Sequence, residues 1–177
     1  KSLDNILVPV GGGGLIAGIT SYLADMSPRT AIVGLEPAGA ASMAAAMKAG
    51  EPVTLKDVDP FVDGAAGKRV GDIKYEIVEQ NQGRIHLADV DEGAVCTNML
   101  DLYQNEGIIA EPAGALSVAG LAEVNLAPGS TVVCVISGGN NDVLRYAEIM
   151  ERSLVHRGLK HYLSLIHISE PTRRTPI

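Results

Sequence analysis

The chain alternates between short unbroken apolar runs and longer stretches in which apolar residues recur every three or four positions. Residues 5–10 (NILVPV) are of the first kind and end in four consecutive glycines, Gly11 to Gly14, as a buried parallel strand entering a tight turn would. Leu15, Ile19, Tyr22, Leu23 and Met26 then follow at helical spacing until Ser27-Pro28 stops the helix. Residues 30–35 (TAIVGL) predict a second strand, and 39–49 (GAASMAAAMKA) a helix closed by Gly50. Residues 51–69, with Pro52, Pro60, Gly64 and Gly67, fit no element and are longer than a plain connection, which marks them as a candidate functional loop. A helix is expected over 70–82 and a strand over 84–88. Asp89, with Glu92 three residues on, suggests a capping-box start for a helix reaching about Glu106. Residues 108–110 read as a short strand. Pro112 opens a helix to about Val124, 131–136 (TVVCVI) is a buried strand, Ser137 to Asn140 (SGGN) is a turn, and 143–154 is helical. The β-α-β-α order predicts an α/β fold whose mainly parallel sheet is flanked by helices.

The last stretch, 163–177 (LSLIHISEPTRRTPI), has neither period and carries two prolines, and it reads as a non-native read-through tail to be set aside from fold reasoning. The start, Lys1-Ser2-Leu3-Asp4, has no initiator Met and no signal-like apolar segment, so the chain is expected to begin within something longer. No apolar run approaches the roughly 20 residues that span a bilayer.

Composition narrows the picture. Hydrophobic residues make up 46% of the 177, with 20 Gly but only five Tyr, one Phe and no Trp, so the core is aliphatic. The net charge of −7 argues against nucleic-acid and anionic-membrane surfaces, leaving small molecules and other subunits as partners. Cys96 and Cys134 stand far apart without metal-ligand spacing, which fits a reducing cytoplasm. His86, His156, His161 and His167 form no triad or ligand pattern.

The strand, glycine loop and helix at 5–26 carry the clearest chemistry. Glycines let consecutive backbone N–H groups converge, and the helix N-terminus adds partial positive charge, so the unit suits a phosphate or carboxylate. Two enzyme classes could own it. Gly12, Gly14 and Ala17 match a G-x-G-x-x-A dinucleotide fingerprint, with Glu36 near the position of a ribose-binding acid, which would suit an NAD-dependent oxidoreductase. Against that, Pro37 follows Glu36 at once, the glycines are contiguous, and three further polar turns lie downstream: FVDGAAGKR (61–69), EPAGA (111–115) and SGGN (137–140).

Taken in order, these segments resemble the threonine dehydratases (threonine ammonia-lyases) of the fold-type II pyridoxal-phosphate family, whose fold is like that of the tryptophan synthase beta chain. VPVGGGGLIAGI (8–19) is similar to that family's phosphate loop, FVDGAAGKRVGD (61–72) to its central loop, EPAGA to the segment beside the cofactor ring, and SGGN to the turn facing the pyridine nitrogen. The likeness covers about residues 1–162, and RYAEIMERSLVHRGLKHY (145–162) resembles the connector to an isoleucine-sensing regulatory domain. It implies a catalytic part over 1–154, a connector start over 155–162, and pyridoxal 5'-phosphate as cofactor. Gly11, Gly12, Gly13, Gly14 and Leu15 would hold its phosphate, Ser137 would bond its ring nitrogen, and Gly64 and Glu111 would lie near the ring.

The implied activity is conversion of L-threonine to 2-oxobutanoate and ammonia, also acting on L-serine, by a cytoplasmic homo-oligomer in isoleucine biosynthesis. A serine racemase-like or serine dehydratase-like enzyme is the related alternative. The family's Schiff-base lysine belongs to an S-F-K-x-R-G-like segment ahead of the glycine loop, and none of Lys1, Lys48, Lys56, Lys68, Lys74 or Lys160 has that context. This stretch alone is therefore expected to be inactive. Related racemases hold a divalent ion through a loop that Glu36 and Ala40 match, but Ser42 stands where a second carboxylate would be, so no metal is expected.

Overall fold

The computed structural model describes residues 2–163. Lys1 and residues 164–177, hence all of the expected tail but Leu163, lie outside the described residues. Four strands, β1 (Asn5–Pro9), β2 (Ala31–Pro37), β3 (Ile85–Val90) and β4 (Val132–Cys134), form one sheet in the order β3-β2-β1-β4. Every pairing is parallel. The sheet grows in one direction from β1 through β2 to β3, and β4 then returns to the other side of β1. The reversal between β1 and β4 is a topological switch point.

Strand side chains divide by alternation. Leu7, Val33 and Leu35 face a core completed by α4 (Glu92–Glu106), α5 (Pro112–Ala119) and Ile149 of α6 (Tyr146–His156). Val8, Val10 and Ile32 face the opposite core with α1 (Gly14–Met26), α2 (Ser42–Ala49) and α3 (Asp72–Gln80). Burial on both faces explains why β1 and β2 read as unbroken apolar runs rather than alternating ones. Among the described residues no helix is long and apolar enough to cross a membrane.

The expected strand at 108–110 is not formed. Gly107, at φ 68°, ends α4, the Ile108 N–H turns back onto the Leu102 carbonyl, and Ile109 is exposed. The chain around it instead meets the SGGN turn and the residue after it: the Glu111 N–H donates to the Gly138 carbonyl, and Asn141 Nδ2 to the Ala110 carbonyl. The capping box also moves. β3 runs through Asp89 to Val90, so Asp91 caps α4 by accepting the Gly93 and Ala94 N–H groups, and Glu92 accepts the N–H of Gly39 instead. Likewise α5 stops at Ala119 rather than about Val124. A short 3-10 turn follows from Gly120, where any side chain would strike Leu35 of β2. The helix expected over 39–49 divides into a 3-10 turn at Ala38–Ala40 and α2.

Glu36 explains that division. It is fully buried at the end of β2, and its two carboxylate oxygens accept the Met43 and Ala44 N–H groups at 2.7 and 2.8 Å, so it caps α2 from another element. Burial pushes its carboxyl up from the ordinary 4.5 to about 7. The backbone N–H groups of Met43 and Ala44 oppose that rise, and Asp89, its register partner on β3, adds to it. A carboxyl raised in this way contributes stability that is fully present below pH 4.5 and is lost as the pH rises through about 7. The swing amounts to about 3 kcal/mol. The full-length protein should therefore unfold at lower urea concentration at pH 8 than at pH 5, and Glu36→Gln should lose this component of the pH dependence.

Candidate functional site

The glycine loop leaves β1 where the Val10 N–H closes the last sheet-like bond, to the Leu35 carbonyl at 2.8 Å. Gly13 adopts a left-handed φ of 83° as the N-cap of α1, and the helix has no side-chain cap and no acidic residue in its first turn. Intrahelical bonding begins with the Ala17 N–H on the Gly13 carbonyl, so the N–H groups of Gly14, Leu15 and Ile16 have no acceptor within the helix. The positive end of the α1 dipole is left unneutralised.

Three further loops close on this one, and each approach depends on a missing side chain. A Cβ on Gly11 would stand 2.8 Å from the Cα of Ala65, so the 61–67 loop lies backbone-to-backbone against the glycine loop. Gly64 sits between the two sides, since a Cβ there would meet the Ala113 methyl at 2.9 Å and Glu111 Oε1 at 3.3 Å. Across α5, Gly114 packs on the carbonyl of Gly138, and Gly138 packs on the Glu111 carboxylate. The loops enclose a cleft of about 320 Å³. It is lined by Pro9, Gly11, Gly12, Gly13, Gly14, Leu15, Gly64, Glu111, Ala113 and Ser137.

All eight residues singled out from the sequence therefore line one cleft, although they come from four separate segments. Pro9 and Ala113 were not anticipated. Both lie inside the motifs VPVGGGGLIAGI and EPAGA, but were not singled out there because each contributes only apolar wall. The cleft opens beyond the carboxyl ends of β1 and β4, at the switch point, where open α/β sheets take their ligands.

Its chemistry is asymmetric. At the glycine end backbone N–H donors and a helix dipole converge, which suits a phosphate-sized anion. Gly12 and Gly14 have nothing within 4 Å of a would-be Cβ, so the space beside those donors is free. Glu111 is the one ionisable side chain in the lining, and Ser137 supplies the one hydroxyl. Those donors and that space fit a phosphate-bearing cofactor. Among the described lysines, Lys48, Lys56, Lys68, Lys74 and Lys160, none lines the cleft.

Glu36 stands apart: it is fully buried, does not line the cleft, and each of its oxygens accepts an N–H of α2, so it does not face the glycine loop as a ribose-binding acid would. A larger cleft of about 540 Å³ lies between the start of α4 and α6. Its polar side chains are largely engaged with one another, Arg152 with Glu148 and His156 Nδ1 with Asp91 Oδ1 at 2.9 Å.

The family described as "Pyridoxal-phosphate dependent enzyme" matches residues 1–138. The chain is 76% identical over 162 residues to the L-threonine dehydratase biosynthetic IlvA of Corynebacterium glutamicum, covering 92% of this chain and 37% of that protein. The processed form of threonine deaminase isoform 2 from Solanum lycopersicum superposes with a TM-score of 0.78 at 31% identity, over 86% of this chain and 45% of that one. Maize serine racemase superposes with a TM-score of 0.73 at 28% identity, over 88% and 48%. The chain thus spans well under half the length of the curated dehydratase it matches.

Two glycine substitutions separate the packing role from the open wall. Gly11→Ala forces two backbones apart and should cost about 1–3 kcal/mol in denaturant unfolding. Gly12→Ala points into free space and should change stability by no more than about 0.5 kcal/mol.

Proposed function

The chain belongs to the pyridoxal-phosphate dependent enzyme family, and we propose that the full-length protein is a threonine ammonia-lyase. In this reading it converts L-threonine to 2-oxobutanoate and ammonia, acts also on L-serine, and serves isoleucine synthesis as a cytoplasmic homo-oligomer. Residues 1–154 are then part of the catalytic domain, and 155–162 begin a connector to a regulatory one. One observation carries the reading: phosphate-type donors, a lone hydroxyl and a lone carboxylate, drawn from four segments, line a single cleft at the switch point of the sheet. The identity to a biosynthetic L-threonine dehydratase supports the choice of substrate.

Bound pyridoxal phosphate would supply a conjugated ring able to accept electron density from the substrate α-carbon. This chain's residues anchor and tune it. The backbone N–H groups from Gly11 to Leu15 would hold the phosphate without any cationic side chain, drawing on the N-terminal field of α1. Ser137 would hydrogen-bond the ring nitrogen. A hydroxyl is too weak an acid to protonate that nitrogen and too weak a base to stabilise it protonated, so the ring withdraws fewer electrons than it would beside a carboxylate. That suits prompt departure of a β-hydroxyl over slower side reactions. Gly64 and Glu111 would border the ring, Glu111 as the one ionisable side chain in the lining. The likeness to the family assigns proton transfer at the α-carbon to a lysine ahead of the glycine loop, and none of the described lysines lines the cleft to take that part.

The full-length protein should retain pyridoxal phosphate through gel filtration and form 2-oxobutanoate from L-threonine. Gly12→Val, which fills the free space beside the donors, should abolish retention while leaving the thermal midpoint of the cofactor-free protein unchanged. Undiminished retention by that variant would remove the glycine loop from the site.

A further inference from the structure

We propose that Arg145 is a positioning residue that ties together the two loops forming opposite walls of the cleft. The inference rests on the cofactor reading of that cleft. One wall contains Gly64, in a stretch from Gly50 to Gly71 that has no helix or strand to hold its shape. The other contains Ser137, after which the chain turns through Asn141 and Asp142 to reach Arg145 at the entry to α6.

From there the guanidinium reaches back across 84 residues of sequence, and Nη2 donates to the Phe61 carbonyl at 2.7 Å. Nη1 lies 3.7 Å from the carboxylate of Asp63, and the guanidinium carbon is 4.8 Å from the centre of the Phe61 ring. One side chain thus holds a carbonyl, a carboxylate and an aromatic face. The restraint passes directly to the cleft, because Asp63 Oδ1 accepts the N–H of Gly64 at 2.9 Å. It is reinforced from α6, where Arg152 lies 4.0 Å from the same ring and is itself held by Glu148 and Asp59. Asp59 in turn accepts the Phe61 N–H.

Only an arginine can make this set of contacts. Its planar guanidinium donates to the carbonyl and faces the carboxylate while lying over a ring, whereas a lysine ammonium offers a single point of charge. Phe61 is buried and the Arg145 side chain only about a quarter exposed (24%), so the contact is largely shielded from water, which strengthens cation–π attraction. Arg145 does not line the cleft, so it acts through the loop it holds. Fixing a wall beforehand lowers the ordering cost that a ligand would otherwise meet on binding.

The test uses the full-length protein with Arg145→Met, Arg145→Lys and, as a control for the α6 core, Ile149→Val. Hydrogen exchange over residues 61–67 in the cofactor-free state reads the tether without reference to any ligand. Arg145→Met should accelerate it about tenfold, with Arg145→Lys intermediate and Ile149→Val unchanged, even though the Ile149 variant lowers the thermal midpoint. Equilibrium titration with pyridoxal phosphate should show about a tenfold higher Kd for Arg145→Met and an unchanged one for Ile149→Val. Unchanged exchange in Arg145→Met, or equal effects of Arg145→Met and Ile149→Val on exchange or Kd, would overturn the proposal. Faster exchange with no cofactor binding even by the unsubstituted protein would preserve the tether but sink the cofactor reading, and with it the positioning role.

Discussion

Backbone can approach backbone only where side chains are missing, and the carboxyl end of this sheet is built on that constraint. Parallel strands deliver their loops to one edge, so the segments after β1 and β4, the 61–67 loop and the start of α5 compete for the same space. Glycines at 11, 64, 114 and 138 resolve the competition, each standing where a Cβ would meet a neighbouring loop. The gain is chemical as well as geometric. Chain that can come this close can present N–H and C=O groups directly to a ligand, and the cleft needs few functional side chains.

Electrostatics divides between two neighbouring helices in a related way. On one face the N-terminus of α1 is left open, with no cap and no acid, and its field points into the cleft. On the same face the neighbouring α2 is closed by a carboxylate from β2. Two helices of similar position thus use their free N–H groups oppositely, one to receive a ligand and one to lock an element to the sheet. An acidic residue following a second strand is compatible with either use, and only the hydrogen bonds of Glu36 decide between them.

Much of this was legible from residue order. Unbroken apolar runs identified β1 and β2 because both faces are covered, and glycine and proline marked most helix ends because they act within a few residues. The errors occur where distant packing overrides local signals. Residues 108–110 have strand-like composition, but the Ile108 N–H turns back onto the Leu102 carbonyl and the Asn141 side chain takes the Ala110 carbonyl. Asp89 has a capping residue's chemistry, yet β2 extends β3 past it and leaves the cap to Asp91. Gly120 ends α5 against Leu35, a residue 85 positions earlier. The eight cleft residues were recoverable because each lies in a motif. Arg145 was not, since its partners are an aromatic residue and a carbonyl far away, and no spacing rule connects them.

The cleft's walls are drawn from residues 9–15, 64, 111–113 and 137, so no two neighbouring walls are local in sequence. A pocket assembled in this way cannot be formed early by a hairpin or a single βα unit. It exists only after β4 has found its place beside β1, a pairing that spans more than 120 residues and carries the loop-closure entropy of that distance. Any molecule that binds there recognises completed topology, and its binding energy stabilises the sheet's most non-local contact against unfolding. Ligand and long-range strand pairing are thereby coupled, making occupancy of the cleft a check on whether the chain has been threaded correctly.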